Sequence, residues 1–316
     1  MRVAILEDYQ QASPALDCFA RLAGHAVEVF SEPLRDEAAI ASRIAGFDAI
    51  VVIRERTRVT GSLLEKLPGL KLVVQTAKIG PHVDLKACQA RGITVCDGTG
   101  SPLPTAELTW GLILASARNL QQENARMRKG LWQGSVGFQL AGRKLGFVGY
   151  GRIAQRLSRY AQAFEMPVSA WGRASTLARA REGGIGAVES LDVLFSESDI
   201  VSMQLRLNPE TRGLIKYRHL ALMTPDAMFV NVSRAELVEP GALERALHEG
   251  RPGRAALDVF ENEPVMDAAH PLVSLPNVTA TPHLGYVERA NYEKYFGDAF
   301  DAVNAFASGR PIRVVA

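Results

Sequence analysis

Two side chains in the last third of the chain combine a reactive group with a position at which a predicted strand ends. His283 follows the run NVTAT (277–281), and an imidazole can donate or accept a proton near neutral pH. Arg234 follows AMFVNV (227–232), and its planar guanidinium can form paired hydrogen bonds with a carboxylate. The alternatives are a hydrogen-bonded structural histidine, which is the favoured interpretation of a lone histidine, and a surface arginine.

A glycine-rich turn lies in the segment KLGFVGYGRIAQRLSRYAQAF (144–164), between a predicted strand and a predicted helix. In this GxGxxA pattern the first glycine permits a tight turn, the second lets backbone approach a pyrophosphate, and the small third residue lets helix and strand pack closely. The helix start stabilises the anion through free N–H groups and its dipole. Because strand, turn, helix and following strand are all present, the pattern favours a dinucleotide site over a simple structural turn. The cofactor-binding residues predicted here are Gly149, Gly151, Arg152 and Ile153.

The stretch VSAWGRAST (168–176) lies where many dinucleotide-binding proteins carry an acid that holds the adenosine ribose of NAD. An acid at position 172 would repel a 2′-phosphate, whereas Gly172 removes this repulsion and is expected to leave room. Arg173 can pair with the phosphate, and Ser175 and Thr176 can donate hydrogen bonds to it. The stretch therefore predicts that NADP is favoured over NAD. The alternative is that Arg173 stacks on adenine or points to solvent and that NAD is bound less tightly.

The elements that position these residues form two series of strands alternating with helices. A loop, DGTGSPLP (97–104), and a helical stretch from about 105 to 130 separate the two series. Strand–helix–strand alternation predicts parallel sheets covered on both faces. We therefore predict an α/β fold of two doubly wound, Rossmann- or flavodoxin-like parallel-sheet domains, with an interdomain cleft for the ligand. A helical tail at 286–307 is expected to return to the first domain. The predicted strands are 2–6, 26–30, 48–53, 71–75 and 93–96, then 144–148, 166–171, 199–204, 227–232, 255–260 and 277–281.

Composition narrows the class of protein. A chain of 316 residues is long enough for two domains, and its net charge of +2 argues against a nucleic-acid or membrane surface. No apolar run approaches the roughly 20 residues that span a bilayer, and the short apolar start argues against a secretory signal. The three cysteines form no CxxC pair, which is typical of a reduced, cytoplasmic protein. We assign no metal site.

Four segments resemble, in order, the signature blocks of the D-isomer-specific 2-hydroxyacid dehydrogenases: LAGRKLGFVGYGRIAQ, LMTPDAMFVNVSRAELVEPGAL, AALDVFENEP and NVTATPHLGY. Four ordered blocks are far more specific than one glycine turn. The resemblance implies hydride transfer between nicotinamide and C2 of a D-2-hydroxy acid or 2-keto acid, as in glyoxylate and hydroxypyruvate reductases and phosphoglycerate dehydrogenase. It also implies a discontinuous substrate-binding domain (1–99 and 288–316) and a dinucleotide-binding domain (100–287).

The same resemblance implies roles for individual residues. His283, in the block PHLG, donates the proton on reduction, and Glu263 is the carboxylate that pairs with it and favours its charged form. Arg234 fixes the substrate carboxylate and polarises the ketone. Asp258 resembles the acid near the nicotinamide carboxamide. A solvated loop acid is the alternative for Glu263 and a turn cap for Asp258, and Ala235 stands where the family usually has glycine, which leaves the backbone angle there open.

The segment TAKIGPHVDL resembles the family loop whose backbone N–H groups receive the substrate carboxylate. The usual pattern is richer in glycine, whereas bulkier residues surround Gly80 here, so we expect a substrate that is larger or differently charged than a simple keto acid. Side chains that point to water are the alternative for Lys78 and His82. One arginine of VIRERT, Arg54 or Arg56, is also expected to face the cleft. The predicted substrate-binding residues are Arg54, Lys78, Ile79 and Gly80.

Two other functions remain open. Co-repressors of the C-terminal-binding-protein type resemble the same fold, so a nucleotide-sensing binding protein is the first alternative. Retention of Arg234, Glu263 and His283 together favours chemistry instead. A methyltransferase on a Rossmann fold is the second, but it gives these residues no role. By resemblance we expect a homodimer that uses the region around Leu131 and Trp132, and a small 2-keto or 2-hydroxy acid as the partner.

Overall fold

The computed structural model describes residues 1–33 and 36–316, and these divide into two compact units. The first unit comprises Met1–Ser101 and Val287–Ala316, and the second comprises Pro102–Tyr286. Each unit is built on a parallel sheet, of five strands in one case and seven in the other. The predicted α/β class with two parallel-sheet domains is confirmed.

The first unit contains strands in the order β2-β1-β3-β4-β5, and every pairing between neighbours is parallel. All residues of β3 and β4 are buried because helices cover both faces of the sheet. The strands are β1 (Arg2–Leu6), β2 (Ala26–Val29), β3 (Ala49–Val52), β4 (Leu72–Gln75) and β5 (Thr94–Cys96), and the helices are α1 (Glu37–Ile44), α2 (Gly61–Glu65), α3 (Leu85–Ala90) and the C-terminal α12 (Arg289–Ala307).

Helix α12 packs on the beginning of the chain. The Glu293 carboxylate accepts hydrogen bonds from the backbone N–H groups of Asp17 (2.7 Å) and Cys18 (3.0 Å). Arg21 forms an ion pair with Asp301 at 2.9 Å. These contacts attach the end of the chain to the first unit. Although α12 is 19 residues long, no helix in the described part of the chain is both long and apolar enough to cross a membrane.

The second unit contains seven parallel strands in the order β12-β11-β10-β9-β6-β7-β8. The central strand β6 pairs with β7 on one side and β9 on the other, so the order of strands reverses there. Ligands of such sheets bind at the carboxyl ends of the strands beside this reversal. The strands are β6 (Leu145–Val148), β7 (Val168–Trp171), β8 (Gly186–Val188), β9 (Ile200–Met203), β10 (Met228–Asn231), β11 (Arg254–Leu257) and β12 (Val278–Ala280).

The helices of the second unit differ from the prediction at one place. The stretch expected to be helical from about 105 to 130 forms two helices, because Asn119 adopts a left-handed conformation (φ +52°) that asparagine tolerates better than most residues. The helices are α4 (Leu103–Ala117), α5 (Leu120–Met127), α6 (Arg152–Ala163), α7 (Ala174–Glu182), α8 (Leu191–Glu197), α9 (Tyr217–Leu220), α10 (Ala242–His248) and α11 (Pro271–Ser274).

Candidate active site

The glycine-rich turn after β6 has the shape that a dinucleotide requires. Gly149 has φ +95°, and a Cβ there would lie 2.7 Å from Leu205 Cδ2 and 2.8 Å from the Gln204 carbonyl oxygen. Gly151 caps α6, and a Cβ there would meet no atom within 4 Å, so the space in front of it is open. Ala154 is fully buried in the core between helix and sheet. The first glycine is therefore needed by the fold, and the second leaves room for a ligand.

The N-terminus of α6 directly follows this turn. Arg152 and Ile153 are its first two residues, and the first N–H groups of a helix have no acceptor within the helix. These groups and the helix dipole favour an anion such as a pyrophosphate at this position. Arg179 of α7 donates hydrogen bonds to the Tyr150 carbonyl oxygen (3.2 Å) and to Thr176 Oγ1 (3.3 Å). Arg179 thus ties the glycine-rich turn to the first turn of α7.

The connection between β7 and α7 corrects one expectation. A Cβ on Gly172 would lie 2.6 Å from Thr176 Cγ2 and 2.9 Å from its Oγ1, so Thr176 fills the space expected to be open. Thr176 itself is buried, whereas Ser175 is exposed in the first turn of α7. The Arg173 side chain is largely exposed and forms an ion pair with Glu210, from the loop that follows β9. An acidic side chain at position 172 would displace Thr176.

His283 and Glu263 form a hydrogen-bonded pair. His283 Nδ1 lies 2.5 Å from Glu263 Oε2, and both side chains are partly buried. Glu263 Oε1 accepts a hydrogen bond from the Phe260 backbone N–H at 2.9 Å, which fixes the carboxylate. The ring of Tyr286 packs edge-to-face on the imidazole with its centroid 5.3 Å away. With Nδ1 engaged by Glu263, Nε2 is the nitrogen left for proton exchange.

Asp258 holds the turn that carries His283. Its Oδ1 accepts hydrogen bonds from Thr281 Oγ1 and the Leu284 N–H, each at 2.7 Å, and its Oδ2 accepts one from the Gly285 N–H at 2.8 Å. Asp258 has no exposed surface, and burial raises the pKa of its carboxyl, against the opposing effect of these hydrogen bonds. His283 has φ +52°, an uncommon conformation for a non-glycine residue. The geometry thus shows Asp258 as a turn cap, and its contact with a nicotinamide carboxamide stays a prediction.

Arg234 lies at the carboxyl end of β10, on the connection to a short 3-10 helix (Ala235–Leu237). Asn231 Nδ2 donates to the Arg234 carbonyl oxygen at 2.9 Å, and the guanidinium donates to the Ser233 carbonyl oxygen at 2.6 Å. Ala235 begins the 3-10 helix, a conformation that a residue with a Cβ adopts without strain. The glycine usual in the family is therefore not required here.

The predicted substrate-binding residues lie together at the carboxyl edge of the sheet in the first unit. Arg54 follows β3, and its backbone N–H donates to Thr76 Oγ1 in the loop after β4 at 2.9 Å. Lys78 Nζ lies 2.9 Å from Oδ1 of the buried Asp97, and the Ile79 N–H donates to its Oδ2 at 3.2 Å. Gly80 follows in the same loop. Asp97 therefore anchors this loop.

Two other residues of this edge contact neighbouring side chains. His82 is buried, with Nε2 3.0 Å from Gln75 Oε1, so its side chain does not point to water. Arg56 donates to the Glu7 carbonyl oxygen at 2.6 Å and to the Tyr292 hydroxyl at 3.1 Å.

Three residues with a place in these sites were not singled out from the sequence: Asp97, Arg179 and Glu210. Asp97 directly follows β5 and could have been found as an acid at the carboxyl end of a strand. The other two lie on a helix and on a loop, where charged residues are common, and only the folded chain brings them to Arg173, Thr176 and the glycine-rich turn.

Comparison with known proteins agrees with this geometry. Residues 110–285 match the family described as D-isomer-specific 2-hydroxyacid dehydrogenase, NAD-binding domain. A glyoxylate reductase of Aeropyrum pernix is 37% identical over 264 residues, which cover 80% of this chain and 78% of that protein. A D-3-phosphoglycerate dehydrogenase of Methanocaldococcus jannaschii is 36% identical over 239 residues, or 75% of this chain but only 45% of that protein.

A solved structure is similar to this protein over nearly the whole chain. The structure described as phosphoglycerate oxidoreductase from Vibrio cholerae O395 superposes with a TM-score of 0.96 at 44% identity, and the match covers 98% of this chain and 99% of that one. The matched NAD-binding domain contains the glycine-rich turn, Arg234, Asp258 and the His283–Glu263 pair. The resemblance drawn from the four sequence blocks is confirmed, and the chain belongs to the D-isomer-specific 2-hydroxyacid dehydrogenase family.

Proposed function

We propose that this protein interconverts a 2-keto acid and the corresponding D-2-hydroxy acid with a nicotinamide dinucleotide. The observation that carries this proposal is the His283–Glu263 pair, 2.5 Å apart, on a turn that the buried Asp258 holds in place. A proton donor with a fixed carboxylate partner is what reduction of a ketone needs besides the hydride. Relatives described as glyoxylate reductase, hydroxypyruvate reductase and D-3-phosphoglycerate dehydrogenase support the reaction class.

The second unit holds the dinucleotide in this proposal. The open space at Gly151 and the free N–H groups at the start of α6 receive the pyrophosphate. When bound, the nicotinamide supplies or accepts the hydride at C2 of the substrate. Gly149 contributes by permitting the tight turn, since its left-handed backbone and its contact with Leu205 leave no space for a Cβ.

His283 moves the proton. In the direction of reduction, protonated Nε2 donates to the oxygen on C2 as that oxygen gains negative charge. Glu263 accepts a hydrogen bond from Nδ1 and stabilises the charged imidazole before the transfer. The Phe260 N–H, which binds Glu263, and the turn held by Asp258 keep the two side chains of the pair at hydrogen-bonding distance. In oxidation neutral Nε2 accepts the proton from the hydroxyl.

Arg234 binds the substrate. Its guanidinium can donate to the carboxylate and to the keto oxygen at once, which orients C2 and polarises the carbonyl. The Asn231 side chain holds the Arg234 carbonyl group, and so fixes the backbone from which the side chain extends.

In the first unit, Arg54, Lys78, Ile79 and Gly80 are the substrate-binding residues of the proposal. Arg54, which lies 3.7 Å from Glu55, and Lys78 are the cations at this edge of the sheet, and each can bind an anionic group of the substrate. Asp97 neutralises part of the charge on Lys78 and orients its ammonium group.

We also propose that NADP is favoured over NAD. The start of α7 carries no acid, Ser175 is exposed in its first turn, and the Arg173 side chain is largely exposed in its ion pair with Glu210. A 2′-phosphate can pair with Arg173 and with the N–H groups at the helix start. Kinetic constants for NADPH and NADH, measured for the natural chain and for Arg173→Ala, test this. A clear preference of the natural chain for NADH would refute it.

The reaction itself is tested with a substrate panel. Purified protein should oxidise NADPH with glyoxylate, hydroxypyruvate or a bulkier 2-keto acid, and the product should be the D-hydroxy acid. If nucleotide binds but no keto acid in the panel is reduced, the alternative of a nucleotide-sensing binding protein is favoured. The loop that departs from the family pattern at Lys78 is the reason to include substrates with a second anionic group.

A homodimer and a cytoplasmic location complete the proposal. Trp132 (74% exposed) and Val136 (92% exposed) are apolar side chains that a partner chain would cover. Light scattering should give twice the chain mass, and Trp132→Glu should give a monomer. The three cysteines are buried free thiols, and burial raises the pKa of Cys18 to about 12 and those of Cys88 and Cys96 to about 11, as expected of unreactive thiols in a reducing compartment.

A further inference from the structure

The arginine proposed to receive the 2′-phosphate already has an acidic partner. The Arg173 guanidinium pairs with the Glu210 carboxylate, 37 residues further along the chain. The carboxylate occupies the position beside the guanidinium that a phosphate oxygen would need. It also balances the single positive charge of Arg173. No acid follows β7 directly, but an acid from a different loop, Glu210, pairs with Arg173.

The backbone of the Glu210 loop is fixed. Asn208 Oδ1 accepts hydrogen bonds from the N–H groups of Glu210 (2.9 Å) and Thr211 (3.0 Å), and Thr211 Oγ1 donates to the Arg206 carbonyl oxygen at 2.7 Å. Leu205, at the beginning of the loop, packs where a Cβ on Gly149 would stand. The loop is therefore built against the glycine-rich turn, and Glu210 is held near the dinucleotide site.

The ion pair itself is weak enough to open. The side chains of Arg173 and Glu210 are 73% and 75% exposed, and a pair so exposed changes an equilibrium constant by a factor of only about 1.5 to 5. A 2′-phosphate can therefore displace the carboxylate. Once displaced, Glu210 remains close to the added negative charge and repels it.

We infer that Glu210 is a coenzyme-specificity residue: it competes with the 2′-phosphate for Arg173, and so narrows the preference for NADP over NAD. A coenzyme with a free 2′-hydroxyl does not need the Arg173 charge, so Glu210 has little effect on its affinity. This inference rests on the proposed dinucleotide-binding function and adds to it the residue that limits the preference for NADP over NAD.

Calorimetric titration of the full chain with NADPH, NADH and 2′,5′-ADP tests the inference without turnover. Glu210→Gln should increase the affinity for NADPH and for 2′,5′-ADP about 3- to 10-fold. It should change the affinity for NADH less than about two-fold. The gain should shrink at high salt, since the screening length falls from about 10 Å at 0.1 M to about 3 Å at 1 M. Glu189→Gln is the matched control, because it removes the same charge from the exposed ion pair with Arg181 of α7.

Arg173→Ala separates this inference from the function on which it rests. In that background Glu210→Gln should improve NADPH binding by at most about two-fold, because the competition for Arg173 is gone and only the weak repulsion between the exposed Glu210 carboxylate and the phosphate remains. Two results would overturn the role of Glu210 and leave the NADP proposal standing, provided that Arg173→Ala weakens NADPH binding. In the first, Glu210→Gln leaves the affinity for both coenzymes unchanged; in the second, it increases both affinities equally. Weaker NADH binding in Glu210→Gln would make Glu210 a ribose-binding acid instead. If Arg173→Ala leaves NADPH binding intact, or the natural chain binds neither coenzyme, the underlying proposal fails and the inference with it.

Discussion

Replacing Asp258 by asparagine tests how the His283 turn is held. The carboxylate accepts three hydrogen bonds from this turn, and an amide has one oxygen in place of two. If that oxygen keeps the Thr281 and Leu284 donors, the new NH2 group faces the Gly285 N–H and leaves it unsatisfied, at a cost of about 1–3 kcal/mol. The two remaining bonds lose charge assistance, but the buried charge is also removed, and these effects oppose each other. We expect the turn to be destabilised by about 2 kcal/mol.

Hydrogen exchange measures this directly. A loss of about 2 kcal/mol should speed exchange of the Leu284 and Gly285 amides about 30-fold in Asp258→Asn, and turnover should fall with it. Asp267→Asn is the control, because Asp267 is an exposed acid that caps the Ala269 N–H at 2.8 Å. Unchanged exchange, together with at least about ten-fold weaker coenzyme binding, would show that Asp258 acts on the nicotinamide and not on the turn.

Four further variants test the other parts of the site. Arg234→Lys should lower kcat/KM for the keto acid at least about 10-fold and change the coenzyme Kd less than about two-fold, since lysine lacks the planar fork; equal losses would indicate a folding role. Gly151→Val should abolish coenzyme binding and leave the unfolding midpoint unchanged. Gly149→Ala should instead destabilise the protein by about 1–3 kcal/mol, because its Cβ meets Leu205 and the Gln204 carbonyl group. The opposite pattern in thermal melts and titrations would contradict both assignments. Glu263→Gln should lower kcat at least about ten-fold at an unchanged coenzyme Kd, because the imidazole loses the carboxylate that orients it, and an unchanged kcat would count against the pairing.

The order of elements was predictable because most buried strands are short apolar runs, several of them rich in β-branched residues. The run AIVV at 49–52 illustrates this, since all four side chains are buried in β3. Strand β8 (Gly186–Val188) was missed, since three residues that begin with glycine and lie half exposed at the edge of the sheet give no such signal. The break at Asn119 was also missed, because no glycine or proline marks it and the left-handed residue is an asparagine.

The candidate site was predictable where a reactive residue lies within three residues of the end of a strand. Arg234 and His283 are such residues, and the family resemblance supplied Glu263 and Asp258. Contacts that depend on tertiary structure were not predictable. Thr176 fills the space beside Gly172 because the first turn of α7 folds back over it, and Glu210 reaches Arg173 only because two loops of the sheet meet.

Substitution of His283 by asparagine is the most direct test of the central claim. Asparagine tolerates the left-handed backbone at φ +52° but cannot transfer the proton, so it separates chemistry from folding better than alanine does. With a 2-keto acid that the natural chain reduces, His283→Asn should lower kcat at least about 100-fold while the Kd for NADPH changes less than about two-fold. Turnover within a few-fold of that of the natural chain, with normal coenzyme binding, would remove His283 from the mechanism.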